Sequence, residues 1–176
     1  CRDIAQKFNN DYKIENFFIV PEPLIKKEFS RIMSLKDGLR KMSKSEASDL
    51  SRINLTDDKD QIINKIKKAK TDTLPLPSKI EELEKRPEAK NLIGIYSSLM
   101  NNTLQKSIDE FAGKNFSEFK EKLSDIVVNE INPISIRIKE LLDDKVFLEK
   151  ILKDGYEKAN EIASQKIKKI HEIVGF

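Results

Sequence analysis

The chain has 176 residues, 36% of them charged, but its formal net charge is only +3, a mixture of signs that is typical of exposed helix faces and excludes a tail that coats nucleic acid. Its single cysteine excludes an internal disulfide framework, and one cysteine with one histidine cannot build a zinc site without other ligands. No apolar run is long enough to span a membrane, and we expect a reducing, cytoplasmic location.

One helix and two strands are predicted in the first part of the chain. Residues 2–10 place three apolar side chains on one side, as at the end of an amphipathic helix. The apolar run 17–20, which Pro21 follows, is typical of a buried strand in a parallel sheet. A second strand is predicted over 31–35. The segment after it would then lie at the carboxyl end of a strand, where open α/β sheets bind ligands.

The most informative stretch is the run Lys41-Met42-Ser43-Lys44-Ser45, which carries two lysines among small hydroxyl residues. Two ammonium groups that converge on a polyphosphate can neutralise the charge that develops as pyrophosphate departs, and serines add hydroxyl donors. Because Gly38 can adopt backbone angles that other residues avoid, we expect a mobile flap that closes on ATP. An ordinary basic surface loop is the alternative for the pentapeptide taken alone.

Beyond residue 48, apolar residues recur at helical spacing and glycine is almost absent, which predicts helices. Asp57 or Asp58 is expected to cap a helix that runs to about Lys70. Its isoleucines are predicted to face inward and its lysines outward, namely Ile62, Ile63 and Ile66 against Lys59, Lys65, Lys67 and Lys68. Prolines predict a connector over 71–78.

Two long apolar stripes predict the remaining helices. The first runs from Phe116 to Leu142 through Pro133, which we expect to kink the helix without ending it because the stripe keeps its phase. The second runs from Phe147 to Val174. Both stripes are assigned to core packing and to no chemistry.

Two groups of lysines are candidates to meet RNA phosphates. They are Lys65, Lys67, Lys68 and Lys70, and Lys166, Lys168 and Lys169. A solvated helix face is the favoured interpretation of each group taken alone.

The text on both sides of the lysine-serine run carries a resemblance. Arg-Ile-Met-Ser-Leu-Lys-Asp-Gly precedes the run at 31–38, Ser-Arg-Ile-Asn-Leu-Thr-Asp-Asp follows it at 51–58, and Lys-Ile-Lys-Lys-Ala-Lys-Thr-Asp stands at 65–72. Together these segments resemble the bacterial tryptophanyl-tRNA synthetases, a family of class I aminoacyl-tRNA synthetases. Further pieces agree in order, at 2–5, 20–22, 86–89, 91–96 and 157–160, so the likeness covers essentially the whole chain.

The resemblance implies a fold class and a division into domains. The expected fold is an α/β remnant, the end of a Rossmann-type nucleotide-binding fold, followed by a mostly α-helical bundle, so that the chain is predominantly α. Residues 1–50 would be the C-terminal part of the catalytic domain with its KMSKS loop. Residues 51–176 would form a helical domain that binds the anticodon region of tRNA.

The resemblance also implies an activity and its partners. Tryptophan would be activated by ATP to tryptophanyl-adenylate and transferred to tRNA(Trp) during protein biosynthesis, with Mg2+ bound to the ATP. The family implies a homodimer, with no role for membranes or DNA. No metal ligand is assigned to this chain.

The site residues follow from the same resemblance. Lys41 and Lys44 are the expected catalytic residues, and the ATP-binding set is Ile32, Lys41, Met42, Ser43, Lys44 and Ser45. Ile32 would form a wall for the adenine, since its spacing from Lys41 matches the family; a buried strand residue is the alternative.

The chain lacks two elements of the family, and two other interpretations of its residues remain open. The family's HIGH-like ATP element and its tryptophan pocket are absent from these residues, so we expect the C-terminal portion of a longer enzyme, inactive alone. A tyrosyl-tRNA synthetase shares the lysine-serine signature but lacks the text at 52–55 and 70–72. A non-catalytic helical module for RNA binding or protein interaction is the more distant alternative.

Overall fold

The computed structural model describes residues 1–24 and 30–176. Backbone proximity divides the chain into two compact units, one formed by Cys1–Lys26 with Asp144–Phe176 and the other by Lys27–Asp143. The described residues form six α-helices: α1 (Arg2–Asp11), α2 (Lys59–Lys67), α3 (Pro87–Leu99), α4 (Leu104–Phe111), α5 (Phe116–Asp143) and α6 (Lys145–Val174). Two short 3-10 segments lie at Asp49–Ser51 and Ile80–Lys85. The predominantly α character is therefore confirmed.

The predicted domain boundary between residues 50 and 51 falls inside the second unit, whose limits are Lys27 and Asp143. The loop with the lysine-serine run thus belongs to the same compact unit as α2 to α5. A functional division at residue 50 stays a prediction.

The start of α2 confirms the predicted cap. The Asp58 carboxylate accepts a hydrogen bond from the Gln61 N–H (2.9 Å), and the Gln61 side chain accepts one from the Asp58 N–H (2.9 Å). This reciprocal capping box satisfies two backbone donors at the helix start. At the other end, the Lys120 ammonium donates to the carbonyls of Lys67 (3.2 Å) and Ala69 (2.7 Å), which compensates carbonyls that the ended helix leaves open.

The core of the second unit lies where α2 packs on α5 and α3 packs on α4 and α5. Ile62 and Ile66 are fully buried on the inner side of α2, as predicted. Tyr96 on α3 packs edge-on against Phe111, with ring centroids 5.0 Å apart. Burial and the nearby Glu110 carboxylate, which accepts from its hydroxyl at 2.9 Å, raise the pKa of Tyr96 to about 12.

Helix α5 continues through Pro133, as the unbroken apolar stripe predicted. Its buried apolar residues lie in its first half, where Phe119 and Leu123 are fully buried, although Ser135 in the second half is buried as well. Ile134 and Leu142 in the second half are exposed. The stripe therefore predicts the helix correctly but overstates how much of it this unit buries.

The other unit contains α1, the following loop and α6. No residue of α6 is buried, so the predicted core packing of the stripe from Phe147 to Val174 is wrong. Phe8 of α1 packs against Phe17 and Phe18 of the loop, with ring centroids 5.3 and 5.0 Å away. The Lys166 ammonium of α6 lies 3.9 Å from the centroid of the Phe17 ring and donates to the Phe17 carbonyl. This cation–π contact attaches α6 to the loop. Helix α6 ends where Gly175 adopts a left-handed conformation (φ 92°), which glycine permits without steric cost.

Both predicted strands are wrong. In the run 17–20 the backbone of Phe18 is paired with a side chain, because the Asn9 amide donates to its carbonyl (2.8 Å) and accepts from its N–H (3.0 Å). The backbone groups that a sheet would use are thus taken. Over 31–35 the described residues form only an isolated antiparallel bridge between Met33 and Lys41. No helix in the described part of the chain has the length and apolar character needed to cross a membrane.

Candidate phosphate-binding loop

A narrow loop presents the lysine-serine run. The Met33–Lys41 bridge closes the turn 34–40 at the start of this loop, and the run begins at Lys41 and continues beyond the bridge. Beside the bridge, the Met42 N–H donates to the Ile32 carbonyl at 3.0 Å. Both Ile32 and Met42 are half-buried and pack against the core of the unit. The structure thus brings these two predicted nucleotide-binding residues together, and the Met42 N–H is already used within the loop.

The base of the loop is attached to α3 by one side chain. The Asn91 amide accepts a hydrogen bond from the Met33 N–H and donates to the Met33 carbonyl, both at 2.9 Å. Asn91 is buried on α3. Because a side-chain amide offers one acceptor and two donors, asparagine can satisfy both backbone groups at once.

Gly38, in the turn of the loop, packs directly on the start of α3. A Cβ atom at this position would lie 2.5 Å from the Pro87 carbonyl carbon and 2.6 Å from the Glu88 nitrogen. The only glycines with a positive φ in the described residues are Gly113 and Gly175. The predicted reason for Gly38, unusual backbone angles, is therefore wrong: the position requires close approach of two backbones.

The two lysines of the run are exposed, and neither forms a salt bridge with any residue in 1–24 or 30–176. Between and after them, the hydroxyls of Ser43 and Ser45 lie 2.9 Å apart. Among the residues that the structure describes, no carboxylate engages Lys41 or Lys44. Their ammonium groups can therefore meet an anion without first breaking a salt bridge to this part of the chain.

The far end of the run is held by Arg52. Its guanidinium donates to the Glu46 carbonyl (2.9 Å) and, with a longer bond of 3.4 Å, to the Ser48 carbonyl. The same guanidinium lies 3.1 Å from an Asp49 carboxylate oxygen. These contacts fix the main chain that begins two residues after Lys44.

Lys65 of α2 lies beneath this segment, and its predicted outward orientation is wrong. Its side chain is only 3% exposed, and its ammonium contacts carboxylate oxygens of Asp49 and Asp57, each at 2.6 Å. The Lys65 hydrogen bond, with one from Asn54, holds the pKa of Asp49 below its ordinary value. A buried lysine is tolerated here because two carboxylates compensate its charge.

Two further ion pairs join the connector to α3. Arg86 holds Asp72 with two hydrogen bonds of 2.8 and 2.6 Å, and Lys70 lies 2.8 Å from Glu88. The Arg86 hydrogen bond lowers the pKa of Asp72, and the Lys70 hydrogen bond lowers the pKa of Glu88. The segments around 70–72 and 86–88, distant in sequence, therefore support each other.

These contacts determine which lysines of the two predicted basic groups are accessible. Lys65 is buried, and the exposed Lys70 is paired with Glu88, so Lys67 and Lys68 are the members of the first group that are exposed and form no salt bridge with the described residues. In the second, Lys166 is half-buried and contacts Phe17. Contact with RNA stays a prediction.

Sequence reasoning missed the roles of Asn91, Arg52 and Lys65. A weak signal existed for two of them. Asn91 precedes the apolar pair of α3 that is buried, and Lys65 falls three positions after Ile62 and directly before Ile66, on the inner side of the helix. A polar residue in a buried stripe is informative because burial without a partner is costly. Arg52 offered no such pattern.

Within the described ranges, no group of three or more histidine, cysteine, aspartate or glutamate residues is arranged to hold a metal ion. Three acidic side chains that follow the run are already paired: Glu46 lies 3.5 Å from the Arg40 guanidinium, and Asp49 and Asp57 contact the Lys65 ammonium.

Comparisons with known proteins give a consistent result. The sequence profile described as tRNA synthetases class I (W and Y) matches residues 1–131. The tryptophan–tRNA ligase of Brucella melitensis is 45% identical over an alignment 193 positions long, which covers 99% of this chain and 54% of that protein. That of Caulobacter vibrioides is 48% identical over 175 residues, covering 99% of this chain and 51% of that protein. The chain thus spans about half the length of the curated relatives it matches.

Solved structures agree in fold. The tryptophanyl-tRNA synthetase of Mycoplasma pneumoniae superposes with a TM-score of 0.79 at 24% identity, over 99% of this chain and 51% of that one. The tryptophanyl-tRNA synthetase of Campylobacter jejuni complexed with ADP and tryptophan superposes with a TM-score of 0.65 at 27% identity, over 99% of this chain and 52% of that one.

Proposed function

The chain belongs to the class I tRNA synthetases for tryptophan and tyrosine, as its motifs predicted, and from this premise we propose that its protein is a tryptophan–tRNA ligase. The relatives at 45% and 48% identity are tryptophan–tRNA ligases, which supports tryptophan over tyrosine as the substrate. The single observation that carries the proposal is the exposed, unpaired state of Lys41 and Lys44 on a loop anchored at both ends, judged over the described residues.

The proposed reaction has two steps. A carboxylate oxygen of tryptophan attacks the α-phosphorus of ATP, the bond to the β-phosphate oxygen breaks, and pyrophosphate leaves. A hydroxyl group at the 3′ end of tRNA(Trp) then attacks the carbonyl carbon of the adenylate, loses its proton and releases AMP. The ATP part of this proposal is supported by the Campylobacter jejuni structure, which was solved with ADP and tryptophan.

Lys41 and Lys44 act on the first step. Negative charge moves onto pyrophosphate as its bond to the α-phosphorus breaks, so an ammonium placed there binds the transition state more tightly than ATP itself. Ser43 and Ser45 add hydroxyl donors to the phosphates. Ile32 and Met42 offer half-buried apolar surface to the adenine.

Mg2+ is proposed to enter with ATP, on its phosphate oxygens, where it would offset phosphate charge. The loop of this chain offers ammonium and hydroxyl groups and no free carboxylate cluster among its described residues, so we assign it no ligand to the ion. The helices after residue 50 are proposed to support the loop and to meet tRNA. A homodimer in the cytoplasm completes the proposal on the basis of the family.

The proposal is tested by exchange of labelled pyrophosphate into ATP, using the full-length gene product with tryptophan or tyrosine. Exchange that depends on tryptophan supports it. Exchange with tyrosine alone would transfer the chain to the other specificity of its family, and no exchange with either amino acid would favour a non-catalytic helical module.

A further inference from the structure

Arg52 contacts both the end of the lysine-serine loop and Asp49, which is paired with the buried Lys65 of α2. We propose that Arg52 is a positioning residue for Lys44: held in place by Asp49 and Lys65, it fixes the main chain beyond the lysine so that the ammonium reaches departing pyrophosphate. This inference rests on the proposed function, because it names a residue that acts on the same step through another side chain.

The guanidinium of Arg52 bonds in three directions at once. One nitrogen, Nη1, donates to the Glu46 carbonyl at 2.9 Å; Nη2 lies 3.1 Å from an Asp49 carboxylate oxygen; and Nε donates to the Asn54 side-chain oxygen at 3.2 Å. A planar guanidinium can hold such an arrangement because its five N–H donors are spread over three nitrogens, whereas an ammonium presents its three donors from one nitrogen. The Glu46 carbonyl is therefore fixed relative to the chain at Asp49 and Asn54.

The exposed Asp49 carboxylate connects this fork to the buried Lys65 ammonium. Besides Arg52, Asp49 accepts a hydrogen bond from the Asn54 amide (3.0 Å) and contacts the Lys65 ammonium (2.6 Å). Lys65 is held by Asp57 as well, whose side chain is only 5% exposed. A buried ion pair is weak evidence for stability, because desolvation can cancel the attraction. A role in fixing position accords with the contacts, since the network reaches the Glu46 carbonyl of the loop through Asp49 and Arg52.

The two ends of the loop are thus anchored differently. The near end is fixed to α3 by Asn91 and by the Met33–Lys41 bridge. The far end is fixed by Arg52. Since displacing a catalytic group by about 1 Å can lower the rate by up to about a hundredfold, the far anchor sets how well Lys44 meets the developing charge.

The test is a double-mutant cycle of Arg52→Ala and Lys44→Ala in the full-length protein, read by tryptophan-dependent pyrophosphate exchange. Because Arg52 acts through Lys44, the substitution Arg52→Ala should lower kcat about tenfold and change the KM for ATP less than about threefold. In the Lys44→Ala background the same change should lower kcat less than about twofold, since residues that act as a unit are not additive.

Controls separate position from folding. Arg52→Lys keeps the charge and the fold but not the three bonds, so its kcat should lie between wild type and Arg52→Ala. Arg137→Ala removes an exposed arginine paired with Glu140 at 2.9 Å and should leave kcat unchanged. If Arg52→Ala shows no cooperative thermal unfolding, the double-mutant cycle is measured with Arg52→Lys instead. The loss of kcat caused by Arg52→Lys must then also be smaller in the Lys44→Ala background.

The possible failures are distinct. If Lys44→Ala leaves exchange unchanged, the proposed function of the loop fails and this inference fails with it. If Lys44→Ala lowers exchange but the Arg52 variants act equally in both backgrounds, or do not lower kcat at all, only the positioning role is overturned.

Discussion

The side-chain amide of Asn91 holds the main chain of Met33 with two hydrogen bonds of 2.9 Å, one to its N–H and one to its carbonyl. This relationship replaces the strand pairing that the sequence predicted at 31–35. It also determines where the lysine-serine run leaves the body of the unit, since Met33 pairs with Lys41 across the base of the loop.

Asn91→Asp should destabilise the protein while keeping the size of the side chain. The carboxylate can still accept from the Met33 N–H, but it cannot donate to the Met33 carbonyl and places a charge beside it. Leaving a buried acceptor unpaired costs about 1–3 kcal/mol. Urea unfolding of the full-length protein measures the loss. Asn64→Asp, at an exposed position of α2, is the matched control, and equal losses in the two variants would argue against the clamp.

Gly38→Ala should lower the unfolding midpoint. The new Cβ would lie 2.5 Å from the Pro87 carbonyl carbon, so the main chain at Gly38 or at Pro87 must shift to accommodate it. Gly155→Ala is the matched control. No atom lies within 4 Å of a Cβ built there, and alanine in a helix interior is favoured over glycine by about 0.5–1 kcal/mol. Opposite shifts in melting temperature are expected, and a Gly38→Ala protein as stable as wild type would contradict the close approach.

Lys65→Met should cost about 3–5 kcal/mol of unfolding free energy, because it leaves buried carboxylate charge without its cation. Adding Asp57→Asn should recover part of that loss, since it removes the charge that Lys65 compensates at 2.6 Å. Lys59→Met, at an exposed position of the same helix, is the control. Urea denaturation of the four proteins checks the prediction, and a loss no larger than the control's would place Lys65 outside the core.

The Asp72–Arg86 pair predicts a pH dependence. The Arg86 hydrogen bond holds the pKa of Asp72 below its ordinary value of 3.8. A carboxyl whose folded pKa is depressed stabilises the protein above the unfolded pKa, and that contribution is lost as the pH falls through the folded pKa. Asp72→Asn should therefore flatten the decline of stability below about pH 4.

Thermal unfolding between pH 2 and 7 measures this effect. Asp154→Asn removes an exposed carboxylate from α6 and provides the matched control. If stability falls equally steeply at low pH in wild type and Asp72→Asn, the Asp72–Arg86 pair does not contribute to the pH dependence of stability.

The helices were predictable because their signals are local. The Asp58 cap and the spacing of Ile62 and Ile66 specify α2, and the unbroken stripe through Pro133 specifies one helix rather than two. The end of α2 was predicted at about Lys70 but lies at Lys67, where Lys120 of a distant helix holds the last carbonyls.

The strands and the loop contacts were not predictable, since they depend on partners far away in sequence. Asn9 pairs the backbone of Phe18, and Asn91 pairs that of Met33, so two runs with strand composition form no ladder. The lysine-serine run was identifiable from its residue types. The Arg52 guanidinium that anchors the run could not be identified, because its contacts depend on three-dimensional proximity and leave no periodic pattern in the sequence.

The most direct test of the account is the kinetics of Lys44→Ala in the full-length protein, measured as tryptophan-dependent exchange of pyrophosphate into ATP. Loss of one charge-assisted contact to the transition state should lower kcat about a hundredfold or more while the KM for ATP changes little. Lys36→Ala, an exposed lysine of the same loop, should exchange at the wild-type rate. A Lys44→Ala protein with unchanged kcat, or one in which only the KM for ATP rises, would contradict the claim that this ammonium stabilises departing pyrophosphate.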